Sequence, residues 1–382
     1  MKELYDYLQV IRQNKHLSFA LATVIKVEGS AYRHQGAKML FSETGEQYGI
    51  ISGGCLEEDL QFRATEVIAA NRPMTVTYDL RPEDDADWGQ GAGCNGKVIV
   101  YLERLVWEDS GKDGRESLLA LIWQELERGR QILCMRKIKR QDNEHRPVGE
   151  NLPLLFDASG ELISKHAKRA VDKKMLTKLR QFVHDDRNFE YTALPGNKAV
   201  DVLIERWKPK DILYIFGAGP DVEPLVERAS EFYFSPIIID PRSSRCHSSR
   251  FPKAKELIAV HPETFLKKHD EIGENSFVLI MTHHFSRDRY ILNYFIERLP
   301  RPAYVGILGP RRRTERLLYP KSVPEWIHSP VGVNIYAEDA EEISISIIGE
   351  LIQVRNKQRV LERKKQRDEL QDEERAQWKQ RG

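Results

Sequence analysis

No stretch of this chain is apolar for long enough to cross a bilayer. None of its hydrophobic runs approaches the roughly 18 residues that a membrane-spanning helix requires. An excess of charge of one sign is also missing: Lys plus Arg total 59 against 58 for Asp plus Glu. General nucleic-acid binders and membrane-surface binders need a basic excess, so the sequence argues against both. Cysteine is scarce. Its four copies, at positions 55, 94, 134 and 246, have spacings that match neither a zinc pattern nor a disulfide framework. Residues 1–16 mix charge throughout and contain no apolar signal core. The expected location is the cytoplasm, with reduced thiols.

What the chain does have is glycine placed at the ends of apolar segments. Residues 212–216, Ile-Leu-Tyr-Ile-Phe, run straight into Gly217-Ala218-Gly219, and a second apolar segment, 236–240, ends in Asp240. That is most of a dinucleotide-binding fingerprint. Glycines let the backbone approach a pyrophosphate, a helix N-terminus receives it, and the acid accepts from a ribose hydroxyl. Val222 stands where the third glycine would be, so the fold is signalled and the ligand is left open. Arg242, beside Asp240, gives a second reading in which this strand end receives phosphate. Further strands at 256–260, 276–281 and 303–308 alternate with helices, which predicts a parallel, doubly wound sheet.

The carboxyl ends of these later strands carry other candidates. His283 and His284 follow the strand at 276–281, where they would hydrogen-bond a ligand or sit as plain loop residues. Gly309 follows the strand at 303–308. Arg311, Arg312 and Arg313 then enter a helix and would either grip phosphate or form a solvated basic face. Asp221 lies close enough to the glycine loop to repel an anion unless it points away, which argues against ordinary NAD turnover.

The first hundred residues predict a helix at 4–14, a strand at 19–27, paired strands at 38–41 and 47–51, a helix at 56–70, and strands at 74–80 and 98–103. Ser52, Gly53, Gly54 and Cys55 fall at the start of the second helix. There backbone N–H groups would face an anion and the thiol would shift toward thiolate. The alternative is a turn shaped by Gly53 and Gly54 with Cys55 as a small buried residue. Gly93 and Cys94 lie in a second glycine-rich loop, 89–96, which is costly to order unless something fixes it. Two such cysteines suggest one site, for a soft metal or a sulfur-bearing cofactor. The middle section predicts helices at 117–128 and 168–184, strands at 131–137 and 200–206, and a hairpin within 154–163.

These motifs resemble a known family. Gly29-Ser-Ala-Tyr-Arg33, Gly36-Ala-Lys-Met39 and Ile51-Ser-Gly-Gly-Cys-Leu-Glu57 are similar to the N-terminal domain of the XdhC/CoxI family, and Gly93-Cys-Asn-Gly96 resembles its Gly-Cys-Gly-Gly element with Asn95 replacing a glycine. Residues 215–221, Asp240-Pro-Arg242, Met281-Thr-His-His284, the run 304–313 and Pro330-Val-Gly332 resemble that family's Rossmann domain. The resemblance implies an accessory protein that binds molybdenum cofactor (molybdopterin), supports its sulfuration by a cysteine desulfurase, and inserts it into a xanthine-dehydrogenase-type molybdenum hydroxylase. It implies no catalysis of its own.

The expected organisation is α/β: an N-terminal mixed α/β domain with an α/β middle section (1–208), a Rossmann-like domain (209–356) and a charged tail (357–382), which is either a solvated helical extension or, for roughly its last half, a frayed end. The expected cofactor-binding residues are Ser52, Gly53, Gly54, Cys55, Gly93, Cys94, Gly217, Gly219, Asp240, His283, Gly309 and Arg311, with Cys55 and Cys94 toward the metal. The Rossmann site would admit a dinucleotide. The rival function is an NAD(P)-dependent oxidoreductase using Asp240 for ribose and His283 or His284 as acid/base. The apolar helix at 338–354 suggests a homodimer, or simple docking onto the Rossmann sheet.

Overall fold

The computed structural model describes residues 2–80, 96–107, 117–139, 153–164, 171–194, 200–269 and 272–381. The chain forms two compact units, Met1–Pro209 and Lys210–Gly382.

In the first unit, α1 (Lys2–Gln13) precedes β1 (Ser18–Gly29), the hairpin of β2 (Lys38–Ser42) and β3 (Gln47–Gly49), α2 (Glu57–Ala70), β4 (Met74–Asp79) and β5 (Gly96–Val106). The strands form a sheet in the order β3-β2-β1-β5-β4, antiparallel at each junction. Side chains alternate across a strand. Ala20, Ala22 and Val24 of β1 therefore join Met39, Val100 and Leu102 in packing against Leu60, Ala64 and Val67 of α2. A bulge between Val24 and Lys26 shifts the β1–β5 register.

The chain continues through α3 (Leu118–Glu127), β6 (Ile132–Lys139), β7 (Leu154–Phe156), α4 (Lys173–His184), β8 (Phe189–Ala193) and β9 (Val200–Trp207). These four strands make a second antiparallel sheet, ordered β7-β6-β9-β8. Asp172 caps α4 by accepting from Met175 N at 2.9 Å. The helix buries Met175, Leu179 and Phe182 against Leu133, Met135, Phe156 and Ile204. The sequence reading did not anticipate β8. Its residues are half-exposed beside β9, so no continuous apolar run marks it.

A buried charge cluster ties the two sheets of this unit together. Lys38 Nζ on β2 lies 2.5 Å from Glu205 Oε1 on β9 and 3.0 Å from Thr23 Oγ1. Arg136 on β6 donates to Glu205 Oε2 at 3.0 Å and to Glu103 on β5 at 2.8 Å. Two cations face two carboxylates, and all four side chains are buried. Balanced pairing is what makes such burial tolerable.

The second unit has strands β10 (Asp211–Phe216), β11 (Phe234–Ile239), β12 (Glu256–Ile258), β13 (Ser276–Ile280), β14 (Tyr304–Ile307) and β15 (Ile327–His328). Its helices are α5 (Val222–Glu231), α6 (Pro262–Leu266), α7 (Phe285–Glu297), α8 (Arg311–Leu318) and α9 (Ala340–Arg381). The strands run parallel in the order β12-β11-β10-β13-β14-β15. The expected parallel sheet is therefore present, with β10 and β11 adjacent. Both faces are covered, which explains the unbroken apolar runs. Leu213 and Ile215 face α5 and α9, packing with Leu225, Val226, Ile347 and Leu351. Tyr214 and Phe216 face the opposite layer, with Phe265, Ile291, Phe295 and Leu317.

The apolar stripe of α9 docks within its own unit. Arg228 of α5 donates to Ser344 Oγ at 2.7 Å, and Arg355 donates to Phe232 O at 2.6 Å. The helix continues to Arg381, so of the two readings of residues 357–381 it takes the helical extension and not the frayed end.

Candidate functional site

Strand order reverses between β10 and β13, and in open α/β sheets ligands bind outside the carboxyl ends of strands at such a switch point. The chain leaves β10 through Gly217, whose N–H donates to Ile239 O at 2.9 Å. Gly217 has φ +124°, and a Cβ there would lie 2.3 Å from Met281 O of the loop after β13. The close approach of these two loops therefore requires glycine. Gly219 lies against Asp221, whose Oδ1 would be 2.2 Å from an added Cβ. The helix after the glycine loop starts at Val222.

Asp240 follows β11 and is almost wholly buried. Its Oδ2 accepts from Ala218 N at 2.9 Å and from Arg242 Nη2 at 2.7 Å. Its Oδ1 accepts from Arg242 N at 2.8 Å and Nε at 2.9 Å. Burial alone would raise its pKa, but the bonds from Arg242 and Ala218 hold it below the ordinary aspartate value. The carboxylate thus pins the glycine loop to the end of β11. Both of its oxygens are engaged before any ribose arrives.

His283, at φ +55°, places Nε2 3.0 Å from Asp221 Oδ2. This hydrogen bond occupies one oxygen of the acid beside the glycine loop. His284 sits at the N-terminal boundary of α7, where Ser286 Oγ lies 3.1 Å from its Nδ1. The sequence reading missed Asp288, a buried acid that receives Thr282 Oγ1 at 2.5 Å and Arg313 Nη2 at 2.6 Å. Arg313 is thereby drawn from the three-arginine run into a structural pair between α7 and α8. Arg311 stays exposed, 3.6 Å from Glu315. Gly309, at φ +110°, makes the turn before Pro310 and α8.

At the other candidate cluster, Ser52, Gly53 and Gly54 form the turn into α2, with Gly53 and Gly54 at φ +79° and +115°. The anion facing their loop is Glu57 of the same chain. Its Oε1 accepts from Ile51 N at 3.0 Å and Ser52 N at 2.7 Å. Its Oε2 accepts from Gly54 N at 2.9 Å, from Leu56 N at 3.2 Å and from the Ser52 hydroxyl. Burial opposes the charge, but the donors prevail and hold the Glu57 pKa down to about 2. From the sequence Glu57 is only the last residue of the Ile51–Glu57 motif. An acid five residues after Ser52 across a Gly-Gly turn was the available signal.

Cys55 is partly exposed and packs against the α2 core. Cys94 and Gly93 lie outside the described residues. Cys134 is fully buried, and burial pushes its thiol up to about 12. Among the described residues no group of three or more His, Cys, Asp or Glu is placed to hold a metal ion. Among them, too, no helix is long and apolar enough to cross a membrane.

Fold and crevice together define a two-unit α/β protein with a Rossmann domain. Residues 213–351 match the XdhC Rossmann domain, and residues 13–79 match the XdhC and CoxI family. The chain is 36% identical to a Bacillus subtilis protein named as a probable xanthine dehydrogenase subunit, over 88% of this chain and 93% of that one. It is 21% identical to the molybdenum cofactor insertion chaperone PaoD of Escherichia coli, over 88% of this chain and 83% of that one. A crystal structure described as a xanthine dehydrogenase from Bacillus halodurans is similar with a TM-score of 0.67 and 37% identity, covering 92% of this chain and 95% of that one. The chain belongs to the XdhC/CoxI family.

Proposed function

We propose that the chain is an accessory protein that binds molybdenum cofactor as cargo and delivers it to a xanthine-dehydrogenase-type hydroxylase. The observation that carries this reading is the presence of both family regions in one chain, together with similarity to a relative named as a cofactor insertion chaperone along 83% of that relative's length. The switch-point crevice supports it. Its tight glycine loop suits a phosphorylated ligand, while the saturated Asp240 carboxylate does not favour the ribose-holding role that NAD(P) turnover would ask of it. In the same reading a cysteine desulfurase is the sulfur donor, and among the described residues of the first unit the partly exposed Cys55 is the thiol available to a soft metal. The test is to purify the chain from cells that make molybdopterin and to examine it by absorbance and mass spectrometry. A co-purifying pterin with no nicotinamide turnover supports the proposal. A bound nicotinamide dinucleotide with turnover refutes it.

A further inference from the structure

The end of β11 carries a group that reads differently from a dinucleotide acid. Four donors cover the two oxygens of Asp240, and three of them belong to Arg242. A ribose hydroxyl would have to displace one of these charge-assisted bonds to reach the acid. The side chain of Arg242 is 53% exposed while that of Asp240 is 3% exposed. What this strand end shows to solvent is therefore a cation. Its Nε and Nη2 are fixed on the carboxylate, so the Nη1 edge points away from it in a set orientation. A guanidinium already held in place loses little further freedom when it binds.

Two further arginines stand nearby, each held by an acid. Arg245 Nη2 and Arg250 Nη1 lie 3.0 and 3.1 Å from Glu223 Oε1, and Arg245 also donates to Ala218 O at 2.9 Å. Arg242, Arg245 and Arg250 thus stand among three carboxylates, Asp240, Glu223 and Asp221. Asp221, across the glycine loop, is paired with His283.

We propose that Arg242, braced by Asp240, selects a phosphate monoester on the ligand bound at this crevice, where a bare acid would select a ribose diol. The inference rests on the reading of the crevice as a ligand site and adds the group it recognises. The phosphate could belong to a pterin side chain or to the 2′ position of an adenine nucleotide, and the two sources are separable.

The full chain is titrated calorimetrically with two pairs of ligands. One pair is adenosine 2′,5′-bisphosphate and adenosine 5′-monophosphate, which differ by one phosphate monoester. The other is a phosphorylated pterin before and after phosphatase treatment. In at least one pair the phosphorylated member binds about tenfold or more tightly, in line with a charge-assisted bidentate contact. That ratio falls toward one in Arg242→Ala. Arg242→Lys keeps a cation beside the buried Asp240, guarding against misfolding, and gives an intermediate ratio. The pair that discriminates identifies the source. Equal binding within both pairs by the wild type, or a ratio unchanged in Arg242→Ala, overturns the proposal. A chain that carries and delivers pterin without this discrimination would keep the proposed function and lose Arg242. Discrimination in the adenine pair with no pterin binding would do the reverse.

Discussion

Glu57 shows how a single residue can take over a site that backbone pattern alone would offer to a ligand. Its carboxylate gathers four backbone N–H groups and a hydroxyl in the 51–56 turn. Glu57→Gln puts an amide NH2 against some of those donors, and the expected loss is about 1–3 kcal/mol, the scale of hydrogen bonds to a charged group at a partly exposed site. The folded-state pKa lies below the unfolded one. The stabilisation is therefore fully present above about 4.5 and is lost as pH falls toward about 2. Urea denaturation of the two proteins should show a gap at pH 7 that closes between pH 4.5 and 2. A gap independent of pH would contradict this role. The thiols make a second residue-scale test. Burial holds the Cys134 and Cys246 thiols up, whereas Cys55 is partly exposed. Native-state alkylation followed by peptide mass mapping should modify Cys55 before either of them. Earlier labelling of Cys134 would mean that its sheet opens more readily than its packing indicates.

At the scale of elements, two contacts decide most of the stability argument. Glu205 is the carboxylate shared by Lys38 and Arg136 between the two sheets of the first unit. Glu205→Ala leaves two buried cations short of a partner, and a loss of about 3–5 kcal/mol is expected. On α9, Leu351 is fully buried against the Rossmann core while Ile345 is half-exposed. Leu351→Ala should cost about 2–5 kcal/mol, and Ile345→Ala should stay within about 0.5 kcal/mol. Chemical denaturation of the three variants checks both points. Equal losses at 345 and 351 would mean that α9 docks on a different face. The same elements show what could be read from sequence. The strands β10, β11 and β13 were legible because a parallel strand covered on both faces is apolar at nearly every position. The half-exposed β8, Phe-Glu-Tyr-Thr-Ala, offered no such run. The length of α9 was legible only as one of two readings, a solvated helical extension or a frayed tail. Its charged second half looks like a solvated tail, yet it is rich in Glu, Lys, Arg and Gln with no proline, and such residues propagate a helix once one has begun.

For the whole molecule, the glycine motifs gave the Rossmann crevice its position, because Gly217 and Met281 meet where strand order reverses. They did not reveal how its charges pair. Asp240 with Arg242, Asp221 with His283, and Asp288 with Arg313 bring together loops and helices whose contacts depend on folding. The central claim is that this chain carries a molybdenum cofactor and hands it on without performing redox chemistry itself. The most direct measurement mixes chain purified from molybdopterin-producing cells with a cofactor-free xanthine-dehydrogenase-type hydroxylase and follows hydroxylase activity alongside the pterin content of each protein. The account predicts that pterin leaves this chain as activity appears, and that the chain alone turns over neither purine nor nicotinamide substrate. Activity that fails to rise while the pterin stays bound, or turnover by the chain alone, would contradict it.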